Sequence, residues 1–113
     1  MNLAVQKAEF FKQDYAKQFG WYVGEAGTEV AWRFQAALDQ SLKKLARQPE
    51  LGRLRRFRNP RLHDLRSFQV ERPFNKFLIF YRIRGEVLDA VRLMHGARDL
   101  PRRLVESPVG GAA

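Results

Sequence analysis

The sequence has 113 residues, 45% of them hydrophobic and 12% aromatic, which suits a single domain with a buried core. It contains no cysteine, which excludes a disulfide framework, a thiol nucleophile and a thiolate metal site. The net charge is +9, and residues 51–113 contribute +8 of it through thirteen arginines and one lysine against six acidic residues. Because guanidinium groups bind phosphate and carboxylate in bidentate geometry, we expect polyanionic partners, either nucleic acid or an acidic protein.

The pattern of apolar residues indicates neither a signal peptide nor a membrane span. The apolar start, Met1–Val5, is far shorter than a signal sequence, and the charged residues Lys7 and Glu9 follow it. The longest apolar run, Phe77–Tyr81, is well short of the roughly 20 residues that a spanning helix needs. We therefore expect a soluble, cytoplasmic protein with no membrane partner.

The first half of the chain predicts a strand and two helices. Met1–Val5 is a candidate strand, and aromatic residues recur every four positions within Ala8–Val23, which predicts a helix. Gly24–Gly27 is expected to form the turn, and Thr28 the N-cap of a second helix. That helix carries a clear apolar stripe and is expected to stop at Pro49.

The second half predicts a basic loop and three strands. Leu51–Asp64 is rich in arginine and shows no regular periodicity. The strand candidates are Leu65–Glu71, Lys76–Ile83 and Val87–His95, and two hairpins join them. The middle candidate is almost continuously apolar, as expected of a strand buried on both faces.

The order β-α-α-β-β-β predicts an α+β fold. In this fold a helical hairpin packs on one face of a mostly antiparallel four-stranded sheet. The other face can stay open and carry arginines. Residues 1–106 are expected to form one domain, and residues 107–113 a flexible C-terminal tail.

Three segments in this order resemble the ParE/RelE superfamily of bacterial toxins, over about residues 3–104. They are Ala31-x-x-Phe34-x-x-Ala37-Leu38-x-x-x-Leu42-x-x-Leu45 with Pro49-Glu50-x-Gly52, then Leu65-Arg66-Ser67-Phe68 leading to Phe77-Leu78-Ile79-Phe80-Tyr81-Arg82, and finally Val91-Arg92-Leu93-Met94-His95-Gly96-Ala97-Arg98-Asp99-Leu100. The resemblance implies the toxin of a type II toxin–antitoxin system, neutralised by a small cognate antitoxin with an acidic or amphipathic segment. ParE-like members are associated with poisoning DNA gyrase, and RelE-like members cut mRNA on the ribosome. The ending His95-Gly96-Ala97-Arg98-Asp99 is more similar to the ParE-like branch.

The RelE-like alternative would make the chain an endoribonuclease with Arg66, Arg82 and His95 as catalytic residues. Such cleavage needs an acid, a base and cations that stabilise the crowded phosphate. His95 resembles the C-terminal histidine of some ribonuclease members, and Arg66 resembles their strand arginine. A structural role is the alternative for each residue, with His95 bonded to Asp99 or to the backbone.

The ParE-like interpretation makes the chain an inhibitor without catalysis and places its target contacts near the last strand. The predicted target-binding residues are Arg92, Arg98, Arg102 and Arg103. Two of them have structural alternatives, because Arg92 could pair with an acidic residue across the sheet and Arg98 with one in the tail.

A third possibility is a non-toxic binding module of the same fold. The basic loop supplies candidate residues for a polyanion or for the antitoxin, namely Arg53, Arg55, Arg56, Arg58 and Arg61. The aromatic residues Phe10, Trp21 and Trp32 lie off the helical stripes and are candidates for a groove that receives an antitoxin segment. We expect no metal site and no cofactor, since no metal-binding or nucleotide-binding motif occurs.

Overall fold

The computed structural model describes residues 2–96 and 99–108, and within them the chain forms three α-helices and five strands. The elements are β1 (Ala4–Lys7), α1 (Glu9–Ala26), α2 (Thr28–Arg47), β2 (Arg53–Leu54), β3 (Arg66–Gln69), β4 (Phe77–Arg84), β5 (Val87–His95) and α3 (Leu100–Val105). Short 3₁₀ turns occupy Pro49–Leu51 and Pro60–Leu62. None of the described helices has the length and apolar character needed to cross a membrane. Most of the tail predicted over 107–113 lies outside the described residues.

The sheet has five strands in the order β1-β5-β4-β3-β2. β1 pairs with β5 in parallel, and every other pair is antiparallel. The α+β class is confirmed, whereas the prediction of four strands was wrong. The additional strand β2 is only two residues long and lies in the arginine-rich segment, where no apolar alternation marks it.

The helical hairpin is confirmed, but its turn is tighter than predicted. α1 continues through Gly20 and Gly24 to Ala26, so the prediction of a turn over Gly24–Gly27 was wrong. The connection is Gly27 alone, whose φ of 98° is a conformation that side chains with a Cβ rarely adopt. Gly27 also takes the N-cap position of α2 that the sequence assigned to Thr28.

The main core lies between the helical hairpin and one face of the sheet. The helices contribute Phe11, Phe34, Leu38, Leu42 and Leu45, and the sheet contributes residues such as Ile79, Tyr81, Leu88 and Leu93. Three consecutive residues of β4, Ile79, Phe80 and Tyr81, are 0% exposed. The prediction that β4 is buried on both faces is therefore confirmed.

A large part of the second face of the sheet is covered, so the expectation of an open face was wrong there. A smaller core lies there, built from Leu62, Leu65, Phe80, Met94, Leu100 and Leu104. Leu62 comes from the second 3₁₀ turn, and α3 contributes Leu100 and Leu104. α3 is only six residues long and buries two leucines, which leaves little apolar periodicity in the sequence.

We expect opposite stability effects from the same change at two glycines. At Gly20 an added Cβ would meet no atom within 4 Å, so Gly20→Ala should raise the free energy of unfolding by about 0.5–1 kcal/mol through helix propensity. At Gly27 the positive φ makes Gly27→Ala costly, by about 1–3 kcal/mol. Urea denaturation measures both. Equal effects at the two positions would contradict the single-residue turn.

Candidate functional site

Arg66 holds the segment that follows α2. It lies opposite Tyr81 in the β3–β4 pair. Its Nη1 donates to the carbonyl oxygens of Gly52, at 2.9 Å, and Glu50, at 3.3 Å. The buried Tyr81 hydroxyl fixes the same segment, since it donates to the Pro49 carbonyl at 2.6 Å and accepts from the Gly52 N–H at 2.9 Å. Burial raises the pKa of Tyr81, so the hydroxyl keeps its proton.

Arg82 holds the basic loop on the opposite face of the sheet. Its Nε donates to the His63 carbonyl at 2.9 Å, and its Nη2 donates to the Arg61 carbonyl. Burial lowers the pKa of the Arg82 guanidinium, and Arg84 acts in the same direction. Because successive residues of a strand face opposite sides, Arg82 and the Tyr81–Arg66 pair point away from each other.

His95 lies at the far end of the sheet from Arg66. It pairs with Phe77, and the two ring centroids are 4.9 Å apart. Phe77 and Tyr81 are separated by four positions of β4, which is about 13 Å along a strand. The structure therefore does not bring the three predicted catalytic residues to one site. The His95 ring packs against Phe77, and its carbonyl accepts a hydrogen bond from Arg103 at 3.0 Å.

Arg92 is buried, with 2% of its surface exposed, at the edge of β5 beyond the end of β1. Its Nε and Nη2 donate to the two carboxylate oxygens of Asp14, at 2.8 and 2.9 Å. Asp14 also accepts from the Leu93 N–H at 2.9 Å and thereby takes the place of a neighbouring strand. The Arg92 guanidinium stacks over the Phe10 ring, 5.1 Å from its centroid.

The third nitrogen of Arg92 holds the C-terminal helix. Its Nη1 donates to the carbonyl oxygens of Arg103 at 3.1 Å, Leu104 at 3.0 Å and Glu106 at 2.6 Å. The first two carbonyls are in the last turn of α3, where they have no partner within the helix, and Glu106 directly follows that turn. Arg92 therefore joins α1, the sheet and α3, and its guanidinium presents almost no surface to a macromolecular partner.

The other arginines predicted to contact a target lie on and before α3. Arg102 is exposed, and its guanidinium makes ion pairs with Glu106 and, at 3.7 Å, with Asp99. Arg103 is partly buried and donates to the His95 carbonyl and, at 3.7 Å, to the Met94 sulfur. Arg98 lies outside the described residues.

Of the five arginines in the basic loop, one makes side-chain contacts within the protein and four are exposed. Arg55 donates to the Ser67 Oγ at 3.1 Å and stacks over Phe57 at 5.5 Å from the ring centroid. Burial lowers the pKa of Arg55, with a smaller contribution from Arg53. The exposed side chains are those of Arg53, Arg56, Arg58 and Arg61.

The three off-stripe aromatic residues do not form one groove. Phe10 packs against Arg92, whereas Trp21 is 56% and Trp32 55% exposed. Trp32 meets Phe19 edge to face, with ring centroids 5.1 Å apart. Phe19 and Trp21 are two positions apart in α1, so their side chains project from opposite sides of the helix.

Sequence reasoning assigned no role to three residues that hold this arrangement together, namely Asp14, Tyr81 and Gly52. Gly52 is required because a Cβ there would lie 2.7 Å from the Tyr81 Cε1. The one available signal for Asp14 was its spacing, since it follows Phe10 by four positions and so shares a side of the helix with it. Its partner Arg92 is 78 residues away, which no local pattern shows.

We expect Asp14→Asn to destabilise the fold strongly, by about 3–5 kcal/mol, because it leaves the buried Arg92 without its charge partner. The free energy of unfolding from urea denaturation is the measurement. The matched control is Glu86→Gln, which makes the same chemical change at an exposed side chain and should cost less than about 0.5 kcal/mol. A similar loss in both variants would show that the Asp14–Arg92 pair is not a principal contact.

Comparison with known proteins identifies a matching family and solved structures of similar fold. Residues 6–100 match the family of the ParE toxin of the type II toxin–antitoxin system parDE. No curated protein sequence matches the chain significantly.

Three solved structures share the fold at low sequence identity. The toxin–antitoxin structure described as the chromosomal ParDE system from P. aeruginosa has a chain that is 19% identical with a TM-score of 0.68, and the match covers 84% of this sequence and 97% of that chain. The Mycobacterium tuberculosis toxin–antitoxin complex RelBE2 has a chain that is 17% identical with a TM-score of 0.57. The match covers 84% of this sequence and 99% of that chain. A mutant of the E. coli toxin RelE in the free state is 13% identical with a TM-score of 0.57, covering 96% of both chains. With the family match extending over most of its length, the chain belongs to the ParE toxin family of type II toxin–antitoxin systems.

Proposed function

We propose that the chain stops growth by inhibiting DNA gyrase and that a cognate antitoxin neutralises it. It belongs to the ParE toxin family, and the ParE-like branch is associated with poisoning this enzyme. In this proposal the toxin acts through a protein–protein contact and catalyses no reaction.

The observation that carries the proposal is the separation of Arg66, Arg82 and His95. A general acid or base must come within hydrogen-bond reach of the reacting group. Here His95 and Arg66 are at different ends of the sheet, and Arg82 is on its other face. Both arginines donate to carbonyl groups of neighbouring loops. This arrangement favours inhibition by contact over mRNA cleavage.

We place the target contact at the C-terminal end, as the sequence suggested, with Arg102 and Arg98 as its candidates. Arg102 is exposed on α3, and its ion pairs with Asp99 and Glu106 are on the surface, where such pairs contribute about 0–1 kcal/mol. A carboxylate of the target could therefore compete for this guanidinium. The side chains of Arg92 and Arg103 instead join α3 to β5.

Purified toxin is expected to inhibit supercoiling by gyrase and to raise the level of cleavage complexes in vitro. Arg102→Gln should weaken the inhibition about tenfold, as for loss of a charged contact of roughly 1.4 kcal/mol. His95→Ala should leave both the inhibition and the growth arrest in place. Arg33→Gln, a change of the same kind on α2, is the control.

Growth arrest with unaltered gyrase and with new mRNA 5′ ends would support the ribonuclease alternative instead. Unaffected growth would support a non-toxic binding module.

We propose that an amphipathic segment of the antitoxin covers the outer side of the helical hairpin. Trp32 is 55% and Val23 40% exposed. The Phe19 ring, four positions before Val23 in α1, packs against the Trp32 ring. Apolar surface of this kind is costly to leave in water and is typical of a binding site. Trp32 projects from α2 and Phe19 from α1, so one helix of a partner can contact both.

Trp32→Ala should lower the affinity for the product of the adjacent open reading frame by about 30-fold or more, as expected for a central tryptophan of an interface. Isothermal titration calorimetry provides the measurement. Trp21→Ala removes an equally exposed tryptophan from the other side of α1 and should have less than a threefold effect. Equal losses in the two variants would exclude the outer side as the specific docking surface, and so would an unchanged affinity of Trp32→Ala.

A further inference from the structure

Most of the basic loop carries positive charge that no acidic residue within it balances. The segment Arg53–Leu62 contains five arginines and no acidic residue. In the described part of the chain, four of these guanidinium groups, those of Arg53, Arg56, Arg58 and Arg61, make no hydrogen bond or ion pair. Each is exposed, so together they form a surface of uncompensated positive charge.

This surface is held in place by contacts at both ends of the loop. At its start the Arg55 N–H donates to the Leu65 carbonyl at 2.8 Å, and the Arg55 side chain donates to Ser67. At its end Arg82 donates to the carbonyl groups of Arg61 and His63. Leu62, which is 3% exposed, fixes the loop from below in the second core. A ligand therefore does not have to order this segment when it binds.

Two open clefts extend the basic surface on either side of the loop. One, of about 600 Å³, is lined by the basic residues Lys44, Arg53, Arg55 and Arg72 and by a single acidic residue, Glu71. The other, of about 520 Å³, is lined by Arg61, Arg82 and Arg84 together with His63 and Asp64. The positive surface thus runs from the edge of β3 to the turn between β4 and β5.

We propose that this surface, the basic loop with its two flanking clefts, binds the phosphodiester backbone of a nucleic acid. Backbone phosphates follow one another regularly with no covalently attached cationic groups between them, whereas an acidic protein surface mixes carboxylates with basic and apolar groups. Arginine matches phosphate with its planar pair of N–H donors. The four free guanidinium groups lie within nine residues of a fixed loop. This close spacing matches the regular succession of negative charges along a phosphate backbone. This activity is distinct from gyrase inhibition and does not depend on it.

The salt dependence of binding tests the proposal. A labelled duplex DNA of random sequence is titrated with the purified toxin, without gyrase, and anisotropy is followed between 50 and 200 mM salt. Four phosphate contacts predict a slope of log K against log salt of about −3.6, which is a loss of affinity of about 100-fold over this range. For single-stranded DNA and single-stranded RNA the same four contacts predict a slope of about −2.8. The probe that binds most tightly at equal salt identifies the preferred nucleic acid.

The variant Arg56→Gln/Arg58→Gln should reduce the slope for duplex DNA to about −1.8, leaving a loss of about tenfold over the same range. The control Lys17→Gln/Arg33→Gln lowers the net charge by the same amount on the helical hairpin and should keep the full slope. Arg82→Gln removes none of the four free groups but releases the loop, and it should weaken binding to all three probes. Thermal melting by circular dichroism confirms that each variant is folded.

Equal slopes for the two double variants would overturn the proposal, because the total charge and not the loop would then determine binding. Binding of poly-glutamate as tight as that of DNA, lost in the same loop variant, would also overturn it and indicate an acidic protein partner. Gyrase inhibition by a toxin that binds no nucleic acid would contradict this inference alone. DNA binding without gyrase inhibition would contradict the proposed function alone.

Discussion

The Asp14–Arg92 pair is the contact on which the layered arrangement of this toxin depends. β1 covers only the first half of β5, and the rest of that edge would otherwise lack a neighbour. Asp14 supplies an acceptor for the Leu93 N–H and for Arg92, which in turn satisfies three carbonyl groups at the end of α3. A single buried pair thus joins the helical hairpin, the sheet and the C-terminal helix. Every nitrogen of the Arg92 guanidinium and both carboxylate oxygens of Asp14 make hydrogen bonds, which is the condition under which a buried ion pair is tolerated.

A bulge in β5 gives Arg92 this position. Strict alternation after Leu88 and Ala90 would direct Arg92 toward the helical hairpin. The register instead shifts between Phe80 and Tyr81, so that Phe80 pairs with Arg92 and Tyr81 with Ala90. Val91 is the extra residue, and beyond it the faces of β5 are exchanged. Leu93 then faces the main core, and Met94 the second one.

The periodicity of the sequence was sufficient for the helical hairpin and the three long strands, because each buries a continuous apolar stripe or run. It was not sufficient for β2, whose two residues have no pattern, or for α3, which has two buried leucines. For the candidate site, the sequence correctly placed Arg66, Arg82 and His95 on strands. Whether their side chains converge depends on strand register and on loop carbonyls such as those of Gly52 and His63, and neither is encoded locally. The four exposed arginines of the loop could be listed from the sequence, but not distinguished from Arg55.

The brevity of β2 has a consequence for the behaviour of the free toxin. A sheet with an apolar central strand is exposed to edge-to-edge pairing with other chains whenever an outer strand is long and flat. Here one outer strand offers two residues, one of them an arginine, and the other outer strand ends in Lys7. Charge and shortness at both edges disfavour ordered self-association. The two edges of the sheet therefore offer little backbone for strand pairing with a second chain.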